Sequence, residues 1–276
     1  VNRRRDAILR EMGLAPLWRL RGAEPVEEAQ PEPAEPTPEP AVAVPVAAPA
    51  PASRPVPLAR FAPPVAVPAD APAEAPARRP APAGDIAGLG WDDLEARIRE
   101  CDACALCKRR KQAVPGVGDR QADWLFVGEG PGAEEDERGE PFVGQAGRLL
   151  DNMLASIGLA RGNDVYIGNA VKCRPPNNRT PETDELAACF PYLERQIALI
   201  KPRLIVALGR PAAQALLNQE VRIAAARGKL FEFGGIPVVV TYHPAYLLRN
   251  LADKAKAWED LCFARATMKR LKADAV

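Results

Sequence analysis

Trp124-Leu-Phe-Val-Gly-Glu-Gly-Pro-Gly-Ala-Glu-Glu-Asp136 is the stretch that decides the fold. Residues 124–127 are a short apolar run feeding straight into a glycine-rich loop, which is how a buried strand ends before a helix. Gly128, Gly130 and Gly132 let the backbone approach a ligand closely and expose its N–H groups. Around them stand Glu129, Glu134, Glu135 and Asp136. Four acids are poor company for a phosphate, so the loop is expected to read something else.

Working outward, the pattern alternates. It predicts helices over 91–100, 146–157, 181–200 and 255–272, another starting at Pro211, and strands over 124–127, 165–171, 204–208 and 238–241. Thr180 is the expected N-cap of the third helix, with Pro181 in its first position and Pro191 as a kink or break. Strands alternating with helices imply an α/β fold with three α/β/α layers around a parallel sheet. In such sheets ligands sit beyond the carboxyl ends of the strands. The glycine loop, Asn169 and His243 all fall near such ends.

Composition divides the rest. Residues 1–24 include an amphipathic helix candidate ending at Gly13. Residues 25–84 hold 18 of the chain's 30 prolines among Ala, Val and Glu. That Pro/Ala-rich composition buries too little apolar surface to offset its ordering entropy, so a disordered linker is expected. Residues 85–276 are one domain of ordinary size. The formal net charge of +1 points to no class of partner. No apolar run is long enough to span a membrane, and Val1-Asn-Arg-Arg-Arg-Asp6 lacks the apolar core of a signal peptide. Six clustered cysteines suit a reducing compartment. The expectation is a cytoplasmic protein, without a membrane partner and monomeric.

Cys101-Asp-Ala-Cys104 is a compact pair, and Cys173 and Cys189 form a second. Four thiolates can close on zinc or on an iron–sulfur cluster, and spacing does not choose between them. Buried free thiols are the plainer alternative, and Cys107 could replace a member of the first pair. His243 is the only histidine; a lone histidine is usually structural, but this one follows the last strand and precedes Pro244, which restricts the backbone beside it. A neutral imidazole there could donate to a developing anion. Asn169 is either a satisfied structural amide or a reader of a base edge. Arg174, Arg179 and the run Lys108-Arg-Arg-Lys111 could reach phosphates, or be solvated surface charge. A nucleotide hydrolase is disfavoured, since the loop has no Gly-Lys-Ser/Thr ending.

Together, Gly128-Glu-Gly-Pro-Gly-Ala-Glu-Glu-Asp136, Pro141-Phe-Val-Gly144, Asn169-Ala-Val-Lys-Cys-Arg-Pro-Pro176 and His243-Pro-Ala-Tyr-Leu-Leu248 resemble the family 4 uracil-DNA glycosylases. These are the iron–sulfur class of their superfamily. The resemblance covers about residues 95–272. Glu129 favours family 4 over family 5, whose loop lacks that acid. The resemblance implies a four-stranded parallel sheet and a [4Fe–4S] cluster held by Cys101, Cys104, Cys173 and Cys189. It also implies flipping of uracil out of DNA and hydrolysis of its N-glycosidic bond. Phe142 would stack on the base and Asn169 would read its N3 and O4 edge. His243 and the backbone at Gly130 would stabilise charge on O2. Glu129 would polarise the water or steady the sugar, with Asn178 helping to position the water. Gly132 stands where the best-known glycosylases carry a tyrosine against C5, and Glu135 is the candidate for that task. Tyr246, Leu247 and Arg249 lie where a wedge could fill the vacated stack. Residues 5–19, with Met12, Gly13 and Trp18, loosely resemble the replicase psi peptide that docks on a chi subunit. The competing class is a non-catalytic iron–sulfur DNA-binding adaptor associated with replication.

Overall fold

The fold rests on four short, largely apolar strands at the centre of the sheet. β2 (Trp124–Gly128), β3 (Val165–Asn169) and β4 (Leu204–Leu208) are buried throughout, as is the second half of β6 (Ile236–Thr241). Strands buried on both faces read as continuous apolar runs and need helices on either side. The computed structural model describes residues 86–274, all within a unit spanning 67–276. The expected peptide 1–24 and linker 25–84 lie outside the described residues.

The strand order is β1-β3-β2-β4-β6-β5, where β1 is Val117–Gly118 and β5 is Leu230–Phe233. The central four strands are parallel, as expected, and the two edges are antiparallel additions. The chain passes from β2 to β3 on one side and then to β4 on the other. That reversal opens a crevice at the carboxyl end of β2.

Period-two alternation sorts the core into layers. Trp124 and Phe126 face one apolar cluster with Leu150, Leu154, Leu261 and Ala264. Leu125 and Val127 face the other, with Phe190, Leu193, Ile197, Ala212 and Leu216. Each such Leu, Ile, Val or Phe side chain, fully buried, contributes about 1.5–3 kcal/mol. The helices are α1 (Trp91–Glu100), α2 (Ala133–Arg138), α3 (Gln145–Ser156), α4 (Thr183–Ile200), α5 (Arg210–Leu217), α6 (Ile223–Ala226), α7 (Pro244–Arg249) and α8 (Lys254–Ala273). A third apolar cluster joins Leu94 and Ile98 of α1 to Cys173, Cys189 and Tyr192.

Three local expectations change. α4 starts at Thr183 rather than 181, because Glu185 Oε2 accepts the Glu182 N–H at 2.8 Å in a capping box. Pro191 lies inside α4 without dividing it, since Phe190, Leu193 and Ile197 stay packed on the sheet across it. β3 ends at Asn169, although Ala170 N–H still donates to the Gly128 carbonyl at 2.9 Å.

Candidate active site

The loops after β2, β3, β4 and β6 surround one cleft of about 760 Å³. Glu129, Gly130, Glu135, Phe142, Asn169, Asn178 and His243 all line it. Every residue expected to act on a base or on water is therefore brought to the same crevice.

Gly128 explains how the parts approach. It pairs with Asn169 across the sheet. A Cβ on it would lie 2.4 Å from Asn169 Oδ1 and 2.5 Å from the Phe142 ring. Only glycine leaves the amide and the ring side by side. Phe142 itself has φ of 55°, a conformation rare for a bulky residue and characteristic of functional sites. Arg161 holds it there, donating to the carbonyls of Pro141 at 2.9 Å and Phe142 at 2.8 Å while paired with Asp151 at 2.9 Å. A Cβ at Gly147 would fall 1.8 Å from the Phe142 carbonyl oxygen, so that helical turn also requires glycine.

Asn169 is 2% exposed, and its Oδ1 is the buried side-chain atom without a hydrogen-bond partner among the described residues. An orphaned buried acceptor costs about 1–3 kcal/mol, which a ligand donor would recover. The His243 and Phe142 ring centroids are 5.5 Å apart with planes inclined by 29°. His243 Nδ1 accepts the Ala245 N–H at 3.1 Å. The neutral ring therefore carries its proton on Nε2, a donor for whatever enters. Partial withdrawal of the half-buried ring from water, helped by the nearby Arg249 guanidinium, lowers its pKa to about 4.

That value gives a direct check, because the chain has one histidine and its imidazole resonance needs no assignment. The signal is expected to titrate near pH 4. Between about pH 6.5, where a free imidazole titrates, and pH 4, the unfolded chain binds the proton that the folded one refuses. Stability should fall as pH drops through that window and then level. A midpoint near 6.5 would show a ring open to water.

Glu135 is fully engaged. Its Oε2 accepts the Gly132 N–H at 3.0 Å, and its Oε1 accepts those of Val143 at 3.0 Å and Gly144 at 3.2 Å. It ties the glycine loop to the Phe142 loop. Burial raises the Glu129 carboxyl above the usual range, against a hydrogen bond from Thr180 and the charges of Arg210 and Arg249, which lower it. A Cβ on Gly130 would meet the Val171 methyl at 2.7 Å. Asn178, with φ of 54°, accepts from Arg174 Nε at 2.8 Å. Leu247 corrects the expected wedge: it is 1% exposed and packs in the core, because α7 turns that face inward. The exposed apolar side chains of this region are Leu248 and Leu251.

Sequence reasoning missed the supports. Arg227 Nε donates to Asp260 Oδ2 at 2.8 Å, and Thr241 Oγ1 donates to the same oxygen at 2.6 Å. The Arg227 guanidinium lies 5.6 Å from the centre of the Tyr242 ring. This buried pair anchors the strand end that carries His243. An acid in a helix at a core-facing position, Asp260, was the available signal.

The cysteines meet elsewhere. Cys101, Cys104, Cys107, Cys173 and Cys189 line one small cavity with Ile98, Arg110, Lys172 and Tyr192, whereas Cys262 lies in α8. None of the six is in a disulfide. Burial pushes Cys173 up to about 11 and Cys189 up to about 12. Arg110 donates to Cys173 Sγ at 3.0 Å, and the Lys172 main-chain N–H donates to Cys189 Sγ at 3.2 Å. Among the described residues no three ligand-type side chains converge on a point that one metal ion could share.

A sequence profile described as the uracil DNA glycosylase superfamily matches residues 115–262. The type-4 uracil-DNA glycosylase of Pyrobaculum aerophilum is 47% identical over 176 residues, covering 61% of this chain and 89% of that protein. The chain belongs to the type-4 branch of the uracil DNA glycosylase superfamily. A second type-4 relative, from Archaeoglobus fulgidus, is 48% identical over 165 residues, 57% of this chain and 82% of that one. The type-5 uracil-DNA glycosylase of Thermus thermophilus is less similar, at 38% over 159 residues, 45% of this chain and 72% of that protein. The profile of the superfamily spans both sides of the cleft, from the loop before β1 to α8. No helix of this superfamily member is long and apolar enough to cross a membrane among the described residues.

Proposed function

We propose that the protein removes uracil from DNA by hydrolysing the N-glycosidic bond, the first step of base excision repair. The observation that carries this reading is the orphaned Asn169 Oδ1, buried beside the Phe142 ring in a cleft that also holds His243. A base flipped from the stack lies on Phe142. Asn169 Oδ1 accepts from uracil N3–H, and its Nδ2 donates to O4. Cytosine presents the opposite pattern at both atoms, which leaves buried groups unpaired and is strongly rejected.

Bond breaking sends the electron pair to the base, so negative charge grows on O2. The neutral Nε2–H of His243 and the backbone at Gly130 meet that charge, a donor of this kind being worth about 3–4 kcal/mol. Water adds to C1′ as the base leaves. Glu129, whose carboxyl burial raises above the usual range, orients that water and receives its proton. Asn178, with Oδ1 taken by Arg174, offers its amide N–H groups to the same water. Glu135 works against thymine through the loops it holds together, since its oxygens are already bonded. Leu248 and Leu251, with Arg249, take over the wedge and phosphate contacts.

The cysteine ring fits a [4Fe–4S] cluster with Cys101, Cys104, Cys173 and Cys189 as ligands. The donor set is all sulfur, and two N–H donors point at ligand sulfurs. Four thiolates would also suit zinc, and it is the resemblance to the iron–sulfur class that favours the cluster. When bound, the cluster would staple the 101–110 loop to the chain at Cys173 and to α4.

The test is incubation with single- and double-stranded oligonucleotides containing one uracil, followed by alkaline cleavage of abasic sites. Cleavage at uracil and none at cytosine or thymine supports the reading; an intact uracil strand rejects it. Deleting residues 1–84 should leave the rate on short DNA unchanged, because every residue given a role in the reaction lies within 86–274. A large loss would make that segment part of the catalytic unit. Residues 1–24 carry a separate proposal, docking on a chi-like replisome subunit. Capture of chi undiminished by Trp18→Ala would remove it. An adaptor without catalysis has no use for the unpartnered amide beside Phe142.

A further inference from the structure

Lys172 is 1% exposed and stands between the base cleft and the cysteine ring. Its ammonium donates to the main-chain carbonyl of Asn169 at 2.8 Å and to Gln196 Oε1 at 2.6 Å. Gln196 is buried as well, and its Nε2 donates to the Pro115 carbonyl at 2.9 Å. On the other side, the Lys172 main-chain N–H donates to Cys189 Sγ, and Cys173 is the next residue. Neither acceptor of the ammonium is a carboxylate. A buried cation is costly unless paired, and the two acceptors that hold this one are neutral oxygens. A packing role would have been met more cheaply by Met or Leu.

The position of the bonded carbonyl gives the cation a purpose. Asn169 is the last residue of β3, where the ladder that would fix its carbonyl runs out. Lys172 supplies the missing partner. The side chain of that same residue faces the cleft with Oδ1 unbonded, so among the described residues no hydrogen bond fixes the amide oxygen, and its placement follows the backbone behind it and the packing of Gly128 and Phe142 beside it.

We propose that Lys172 is a positioning residue for base reading: its ammonium, held by Gln196 Oε1 while its main-chain N–H is held at the cysteine ring, fixes the Asn169 backbone and so the placement of the Asn169 amide. The inference rests on the uracil-release reading. A misplacement of about 1 Å in such a group costs on the order of 10²-fold, so a single buried hydrogen bond has leverage on specificity.

The test compares the holoprotein with Lys172→Met, which keeps the volume and removes the donors. Three quantities are read: affinity for free uracil by calorimetry, affinity for duplex DNA bearing an abasic site, and visible absorbance per protein. The expected result is uracil affinity weakened about tenfold or more, with abasic-DNA affinity and absorbance unchanged. Unchanged uracil affinity overturns the proposal. Parallel loss of both affinities also overturns it, because a general structural role would produce that pattern. Should Lys172→Met not fold, Gln196→Leu is read by the same measurements, with the same selective loss expected and the same outcomes decisive. A wild-type protein that neither binds nor releases uracil rejects the parent reading instead.

Discussion

Asn169→Asp is expected to lower the single-turnover rate of uracil release by about 10³-fold or more. The substitution changes one atom. It removes the Nδ2 donor to O4 and sets a carboxylate oxygen against that carbonyl. It also places an ionisable group at a position only 2% exposed. Folding is expected to survive, because the change of shape is minimal and Asn169 holds the fold through its backbone: its carbonyl meets Lys172, and its strand pairs with β2. Circular dichroism and visible absorbance equal to wild type would isolate the loss to base reading. An unchanged rate would remove Asn169 from that task.

Cys173→Ser is expected to abolish the visible absorbance of an iron–sulfur protein and to lower the unfolding midpoint by about 10 °C. At about 2–4 °C per kcal/mol for a domain of this size, that drop is several kcal/mol, the scale of losing a structural metal centre. The region around Cys173 explains the size. Arg110 would lose the sulfur it donates to at 3.0 Å. The 101–110 loop holds only a short 3₁₀ turn, residues 105–108, and Leu106 as its buried apolar anchor. Little besides the sulfurs can fix it. Full absorbance and full stability in the variant would show a different ligand set, with Cys107, which lines the same cavity, as the next candidate.

The fold was legible where burial dictates sequence. The runs at 124–127 and 204–208 are continuous because both faces of those strands are covered, and no other environment tolerates that pattern. The edges were not legible. β1 is two residues long, too short for any periodicity. β5 alternates between exposed and half-buried and was overlooked, although Gly234-Gly235, both at positive φ, marks a tight hairpin turn into β6. Within the site, Asn169 and His243 were readable from their places near strand ends and Phe142 only through the resemblance, and all three share the cleft. What could not be read is which atoms are already spent. Glu135 looked like a free acid in the sequence, but three backbone N–H groups consume it. Leu247 and Leu248 are neighbours of one type, and only the facing of α7 separates a core residue from an exposed one. Lys172 drew no reading of its own from the sequence; its burial depends on α4 and the cysteine loop arriving from distant parts of the chain.

A crystal structure of the protein with free uracil tests the central claim most directly. The account expects the pyrimidine over the Phe142 ring, its N3 about 3 Å from Asn169 Oδ1 and its O2 facing His243 Nε2. Uracil bound elsewhere, or bound in the cleft with Asn169 Oδ1 still unpartnered, would contradict it.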